Sequence, residues 1–186
     1  KRKLNLKGPI ILYIGRIAKY KGVADIIKAY KIAKERLPNL NLLIGGRPDY
    51  TMQDTYEHWI SKYKDIKFLG YIAEEEIPIY YTMADVFVTY SYASEGFGLT
   101  PIEAIACGTP VVCSSNLAYK EVLQDNALFV RAKRPDLLAK AIVKLLEEES
   151  QVAMMVKKAQ GFIKKYSWEH VGEKLEKVYL QFLNSR

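Results

Sequence analysis

The sequence contains few of the residues that build covalent or metal-based sites. Its 186 residues include only two cysteines and two histidines. Cys107 and Cys113 lack the CxxC spacing, and His58 and His170 stand apart from any nucleophile or metal-ligand pattern. This argues against a disulfide-rich scaffold, a zinc site and a His-based catalytic triad. We expect free, buried thiols and a cytoplasmic location, although two cysteines leave a single bridge open.

Long apolar runs are also missing. No run reaches the roughly 18 residues that would cross a bilayer, and neither end carries a signal-peptide pattern. With 49% hydrophobic and 26% charged residues, the chain has the composition of one domain with a sizeable core. The first residue is Lys1 rather than Met, and residues 1–8 read as a charged linker. We therefore expect a soluble piece of a longer protein.

The basic excess is modest and partly local. The chain carries 28 basic and 21 acidic residues, a net charge of +7. Four of the basic residues, Lys1, Arg2, Lys3 and Lys7, lie in the leading segment. The others alternate with Glu, as in KAIVKLLEEES, which is typical of a solvated helix face. The distribution favours a small anionic ligand, and we expect no nucleic-acid partner.

Short β-branched runs alternate with helical patterns along the chain. This order predicts an α/β fold, a parallel sheet of about six strands with helices on both faces. Strands are predicted at residues 9–14, 40–45, 66–70, 85–90, 110–114 and 127–130. Helices are predicted at residues 23–37, 53–63, 74–83, 101–107 and 135–148. About 35 further residues show only helical patterns.

The last predicted helix is amphipathic. Ser167 is a plausible N-cap before it. Its apolar residues recur at helical spacing, namely Val171, Leu175, Val178, Tyr179 and Phe182. Such a face must be buried against something.

The loop after the first strand combines glycine with positive charge. In a parallel sheet, ligands bind beyond the carboxyl ends of the strands. In GRIAKYKG, Gly15 permits a close turn, and Arg16 and Lys21 lie beside the start of the next helix. This predicts a diphosphate clamp, although it is neither a P-loop nor a GxGxxG fingerprint. A basic surface turn is an equally good interpretation.

The loop after the fourth strand is the most informative stretch. Glu95 lies in a glycine-rich loop, and Glu103 follows eight residues later. Both acids have plain alternatives. Glu95 could be a solvated loop acid, and Glu103 could close a capping box with Thr100, with Pro101 at the first helical position.

The remaining loop and the tyrosines are weaker signals. GGRPDY, residues 45–50, brings Arg47 close to the same edge, but a plain strand-to-helix turn explains it as well. Tyr80, Tyr81 and Tyr90 are interpreted as packing residues without a functional role.

These motifs together resemble a known family. Four stretches, in the family's order over residues 9–184, carry the resemblance: GRxxxxKG, LGYIAEEEIPIYYTMADVFVTYS, EGFGLTPIEAIACGTPVV and SWEHV. They resemble the C-terminal half of retaining GT-B glycosyltransferases of family 4, also called glycosyl transferases group 1. The resemblance implies a Rossmann-like domain that binds the sugar donor.

The resemblance also implies roles for particular residues. Arg16 and Lys21 would neutralise the diphosphate of a nucleotide sugar and, with Glu95, form the catalytic set. Glu95 would hold hydroxyls of the transferred sugar. Glu103 would accept hydrogen bonds from the ribose.

Main-chain groups would complete the donor site. Gly15 would let the backbone approach the diphosphate. The sugar would lie close to the backbone of Gly96, Phe97 and Gly98, and the amides of Leu99 and Thr100 would contact phosphate. The base would lie against Gly70, Tyr71 and Ile72. No metal and no cofactor are implied, because cations and helix amides carry the charge.

The resemblance divides the chain into a linker at 1–8, a donor-binding domain at 9–166 and a last helix at 167–186. That helix would pack toward an N-terminal domain absent from this sequence. We expect a donor such as GDP-mannose or UDP-glucose to bind, and a hexose to be transferred with retention only when the other domain is present. A dimer contact, and peripheral membrane association through the absent domain, are left open.

Other functions compete with this interpretation. Glu95 and Glu103 could be taken for the acid pair of a glycoside hydrolase, which would not need the Arg16 and Lys21 clamp. A GT-B sugar-nucleotide epimerase and a non-catalytic nucleotide-binding module are further alternatives.

Arg47 departs from the family, because relatives often have a small residue at that position.

Overall fold

A computed structural model describes residues 1, 4, 6–93 and 95–184. Arg2 and Lys3 of the leading segment and Ser94 of the glycine-rich loop lie outside this part. The described residues form one six-stranded sheet and eight α-helices. The strands are β1 Ile10–Ile14, β2 Asn41–Gly45, β3 Ile66–Gly70, β4 Val86–Thr89, β5 Val111–Ser114 and β6 Leu128–Val130. The helices are α1 Val23–Arg36, α2 Gln53–Lys62, α3 Ile77–Met83, α4 Leu99–Ala106, α5 Leu117–Leu123, α6 Pro135–Glu147, α7 Glu149–Ile163 and α8 Trp168–Asn184.

The sheet is parallel and doubly wound, in the order β3-β2-β1-β4-β5-β6. Alternate strand residues enter two separate cores, because successive side chains of a strand point to opposite faces. Ile11 packs with α1, α2 and α6, and Leu12 packs with α3, α4, α5 and α7. Both side chains are fully buried, as expected for a sheet covered on each face.

The predicted elements are confirmed with small shifts at their ends. All six strands are present, and each lies within its predicted range. The helix predicted at 74–83 begins only at Ile77, after a turn. The prediction missed α5, which is seven residues long, too short to show a clear apolar period. Its start is capped by Asn116, whose side chain accepts a hydrogen bond from the Tyr119 amide at 2.9 Å.

The leading residues contact the domain that follows them. Leu6 is buried in the core beneath β1. The Lys1 ammonium lies 3.1 Å from the Asp85 carboxylate at the start of β4.

Both cysteines are free thiols, as expected. Cys107 is half-buried and Cys113 is fully buried.

The C-terminal helix lies on the outside of the domain. Its N-cap is confirmed, because the His170 amide donates to the Ser167 hydroxyl at 3.3 Å. Among the predicted apolar residues, Leu175 is 52% and Tyr179 61% exposed. The rest of the described chain does not cover this face. No helix within the described residues is long and apolar enough to cross a membrane.

The loops that follow β1, β2 and β3 are joined by main-chain hydrogen bonds. The Gly15 amide donates to the Gly45 carbonyl at 3.1 Å, and the Gly46 amide donates to the Gly70 carbonyl at 2.6 Å. Gly46 has a φ of +127°, and a Cβ there would overlap the Gly15 carbonyl group. Only glycine allows this close approach, so Gly46 of the β2 loop is a structural requirement.

We expect Gly46→Ala to lower the free energy of unfolding by at least about 2 kcal/mol, because strain at a positive φ adds to a main-chain clash. Gly161→Ala in α7 is the matched control, since an added Cβ there has open space. It should leave stability unchanged or raise it by up to about 1 kcal/mol. Urea unfolding of both variants measures the difference. Equal effects would contradict the close approach.

Candidate functional site

The candidate site lies where the winding of the sheet reverses. From β1 the chain proceeds outward through β2 to β3, and from β4 it proceeds the opposite way through β5 to β6. The loops after β1 and β4 therefore diverge from one crevice at the carboxyl edge, the usual ligand position in open α/β sheets. The two most informative stretches of the sequence are these two loops.

The two loops are joined by an ion pair. Lys21, in the 3-10 turn Lys19–Lys21, donates to both carboxylate oxygens of Glu95 at 2.7 and 2.8 Å. The side chains are only 18% and 12% exposed. The Tyr92 amide also donates to the Tyr20 carbonyl at 2.7 Å, which holds the loops together. The solvated-loop interpretation of Glu95 is therefore wrong, because this acid is mostly buried and paired.

Arg16 and Lys21, the two cations of the predicted diphosphate clamp, differ in exposure and in pairing. The Arg16 side chain is exposed, and in the described part of the chain no carboxylate lies within ion-pair distance of it. Its carbonyl accepts a hydrogen bond from the Tyr13 hydroxyl at 2.7 Å, which fixes the loop directly after Gly15. The Arg16 side chain can bind an anion directly, whereas Lys21 must first separate from Glu95 to do so.

The glycine-rich loop leads into α4 without a side-chain cap. α4 begins at Leu99, with Gly98 as its N-cap at a φ of +88°. A Cβ at Gly98 would lie 2.7 Å from the Tyr119 ring, so glycine is required there. Among the described residues, no side-chain cap is found at the start of α4, where the amides of Leu99 and Thr100 lie. Free amides at a helix start favour an anion.

The capping box predicted for Glu103 is wrong. Because Gly98 adopts the left-handed conformation, the helix starts before Thr100, and Pro101 occupies its third position rather than its first. Glu103 is exposed on the second turn of α4 and accepts a hydrogen bond from the Tyr81 hydroxyl at 2.9 Å. Its carboxylate is thus oriented at the surface and remains open to further donors.

The glycine-rich loop after β4 and the loop after β3 expose different groups. Phe97 is 42% exposed and packs edge-on against Tyr166 at 5.3 Å between ring centroids, next to the exposed Gly96. In the loop after β3, Tyr71 is 64% exposed, whereas the Ile72 side chain is buried against Gly45.

The sequence analysis missed a layer of buried hydroxyl groups beneath the site. The Tyr119 and Thr89 hydroxyls are 2.8 Å apart. Burial raises the pKa of Tyr119 and of Tyr13, and the Glu95 charge raises the pKa of both further. Burial and the Glu103 charge also raise the pKa of Tyr81, which is both a packing residue and a functional contact. These hydroxyls therefore stay protonated and serve as donors. In the sequence, the only sign of these buried hydroxyls was the position of Tyr13, two residues before Gly15.

A separate groove lies away from this site. A groove of about 720 Å³ lies at the amino ends of the strands, beside Pro9, Asp85 and Pro110. That is the edge opposite the two loops. Within the described residues, no group of three or more His, Cys, Asp and Glu side chains is arranged to hold a metal ion.

We expect Lys21 and Glu95 to be energetically coupled. Lys21→Met or Glu95→Gln should each lower the free energy of unfolding by about 1–3 kcal/mol, because each leaves a largely buried partner unsatisfied. The double variant should lose less than the sum, by about 1 kcal/mol or more. The measurement is a double-mutant cycle in urea.

The pair Arg134 and Asp136, each 47% exposed, is the matched control. Its coupling should be clearly smaller than that of Lys21 and Glu95, as for other solvent-exposed pairs. Additive effects of the Lys21 and Glu95 substitutions would contradict the pairing.

Comparison with known proteins identifies the family. A family model for glycosyl transferases group 1 matches residues 1–179. O-antigen chain mannosyltransferase B of Escherichia coli is 30% identical over 168 residues, covering 86% of this chain and 42% of that protein. The chain spans about half the length of the curated relatives it matches.

Solved structures show the same fold. HepE of Anabaena, in complex with UDP and glucose, aligns with a TM-score of 0.83 at 22% identity, covering 100% of this chain and 51% of that one. The C-terminal domain of a group 1 glycosyl transferase from Francisella tularensis aligns with a TM-score of 0.80 at 25% identity, covering 90% and 91%.

The predicted Rossmann-like fold of the GT-B type is therefore confirmed. Two of the motifs on which the resemblance was based, GRxxxxKG and EGFG, lie at the crevice between β1 and β4. Together with the match over residues 1–179, they show that this chain belongs to the glycosyl transferases group 1 family.

Proposed function

We propose that this chain is the donor-binding domain of a retaining glycosyltransferase, which moves a mannose or glucose from a nucleoside-diphosphate sugar to an acceptor hydroxyl. The contact between Lys21 and Glu95 carries the proposal. It brings the cation expected at the diphosphate and the acid expected at the sugar to one point of the crevice. A glycosidase acid pair would not need that cation.

Donor binding is an exchange of partners. A nucleotide sugar brings phosphate oxygens for Lys21 and sugar hydroxyls for Glu95, so both halves of the ion pair are satisfied again after they separate. A nucleoside diphosphate without sugar satisfies Lys21 alone and leaves a mostly buried carboxylate without donors. The site therefore favours the complete donor over the nucleotide.

The chemistry rests on stabilising a leaving group. When the bond between sugar and diphosphate breaks, negative charge grows on the departing phosphate. Arg16, Lys21 and the free amides at the start of α4 face that charge, and such preorganised donors lower the barrier most where charge develops. These groups can do this work without a metal ion.

The nucleotide lies along the carboxyl edge from β4 toward β3. Glu103, oriented by Tyr81, accepts hydrogen bonds from the ribose hydroxyls. The base rests by Gly70 and the exposed Tyr71. GDP-mannose and UDP-glucose are the leading donors. A mannosyltransferase among the relatives and a UDP and glucose complex among the structures support this choice.

The other half of the enzyme is a separate domain that supplies the acceptor site. The exposed apolar face of α8 is the surface proposed to pack against it, with a dimer contact as the alternative. Transfer requires that domain, and membrane association would pass through it. The location proposed for the whole protein is the cytoplasm, in keeping with its free thiols.

The proposal is tested by calorimetric titration of the chain with UDP, GDP and ADP and with their sugars. At least one nucleotide should bind, and Lys21→Ala and Glu103→Ala should each weaken it about tenfold or more, as for the loss of charge-assisted hydrogen bonds. Lys19→Ala, an exposed cation in the same turn, should change the affinity less than about threefold. Absence of binding, or unchanged binding by both site variants, would sink the assignment.

Glu95→Gln tests the exchange of partners. Without the carboxylate, Lys21 is free for phosphate, so affinity for the nucleoside diphosphate should hold or rise. Affinity for the nucleotide sugar should fall roughly tenfold, because hydrogen bonds to a charged acceptor are lost. Competition titration of the two ligands measures the ratio, with Glu121→Gln on α5 as the exposed control. An equal loss for both ligands would show that Glu95 does not recognise the sugar.

A further inference from the structure

Arg47 occupies a position between the two parts of the donor site. It follows Gly45 and Gly46 in the loop after β2, and β2 lies between β1 and β3 in the sheet. Its carbonyl accepts a hydrogen bond from the Ile17 amide at 2.9 Å. The Arg47 main chain is thus bound to the β1 loop, which carries the phosphate-binding cations.

The side chain of Arg47 turns the other way. Its guanidinium lies over the Tyr71 ring, 4.9 Å from the centroid, in the loop after β3. Tyr71 is 64% exposed, and Arg47 is exposed as well. No carboxylate among the described residues pairs with this guanidinium. Cation–π stacking therefore holds the group on the base side of the site, with donors left unused.

A guanidinium held in this way selects by hydrogen-bond type. It has five N–H donors in a planar fork and no acceptor. Guanine presents two acceptors, O6 and N7, and uracil presents the O4 acceptor, whereas adenine and cytosine present an amino group at the corresponding position. Two donor groups that face each other repel and leave both unsatisfied.

We propose that Arg47, positioned by Tyr71, is a specificity-determining residue that selects a nucleotide whose base carries a carbonyl group, guanine or uracil, over one that carries an amino group. The inference rests on the proposed function, because it requires the base to lie by Tyr71. It gives a chemical reason for the arginine at a position where a small residue is expected.

The test compares two matched pairs of ligands, GDP with ADP and UDP with CDP, by calorimetric titration. The unmodified chain should bind GDP or UDP roughly tenfold more tightly than its partner with an amino group. The stronger of the two carbonyl-bearing ligands then identifies the base. In Arg47→Ala this preference should fall to about twofold or less, mainly through weaker binding of the preferred nucleotide.

Two further variants separate charge from geometry. Arg47→Lys retains the charge but not the planar fork, so it should also lose the preference. Tyr71→Leu removes the stacking surface and should lower the preference severalfold. Lys140→Ala on α6 removes one exposed charge far from this edge and should leave the preference unchanged.

Inorganic pyrophosphate is the probe that can overturn the proposal. It lacks a base, so its affinity should be the same for Arg47→Ala and the unmodified chain. An equal loss for pyrophosphate and GDP would assign Arg47 to the phosphates instead. Tighter binding of ADP or CDP by the unmodified chain would also refute the proposal. If the unmodified chain binds no nucleotide, the proposed function fails; if it binds one and only the selectivity is unchanged by Arg47→Ala, the Arg47 proposal alone fails.

Discussion

The parallel pairing of β1 with β4 is the constraint on which the site depends. Ile11 and Leu12 align with Val86 and Phe87 at the centre of the sheet, and all four side chains are fully buried. Burial on both faces stabilises this central pair, and from it the chain winds outward in both directions. The two loops that leave the pair must then start side by side. For this reason Lys21 and Glu95, 74 residues apart in sequence, form a hydrogen-bonded ion pair.

The charges at the crevice satisfy each other within the chain. An unpaired carboxylate as buried as Glu95 would be costly, and pairing with Lys21 removes that cost. Beneath the pair, buried tyrosines that remain protonated supply hydroxyl donors but no further charge. The same groups that bind each other are those a nucleotide sugar would separate. In the proposed function, stability and ligand recognition therefore depend on the same contacts.

The glycine-rich loop after β4 is also connected to the C-terminal part of the chain. Phe97 packs edge-on against Tyr166, which in turn donates a hydrogen bond to the Val122 carbonyl at 2.8 Å. Tyr166 stands just before Ser167, the N-cap of α8. The glycine-rich loop thus packs against the segment that precedes the exposed helix α8, so the two cannot move independently without breaking an aromatic contact.

Local sequence patterns predicted the secondary structure better than the site. Short apolar runs placed every strand. Several of these runs are almost continuously apolar, because a strand buried on both faces needs apolar residues on both sides. The two-turn helix α5 was not predicted. The start of α4 was predicted two residues too late, because Pro101 was taken as the first helical residue, whereas the left-handed Gly98 is the N-cap. The resemblance named Arg16, Lys21, Glu95 and Glu103, and the structure brings Lys21 and Glu95 into contact. Local patterns could not show that, within the described chain, Arg16 is the unpaired cation or that Tyr81 orients Glu103. Both facts depend on distances between separate helices, strands and loops.

By itself the sequence determined the fold class, the positions of the strands along the chain and the loops that form the candidate site, because these follow from periodicity, composition and motif spacing. Only the tertiary structure decided which of those loops meet and what each side chain contacts. Arg47 illustrates the difference. Its neighbours in sequence mark a glycine turn, while its stacking on Tyr71 arises because β2 and β3 are adjacent in the sheet. The contacts that define the site are long-range, and long-range contacts are set by packing of the whole core.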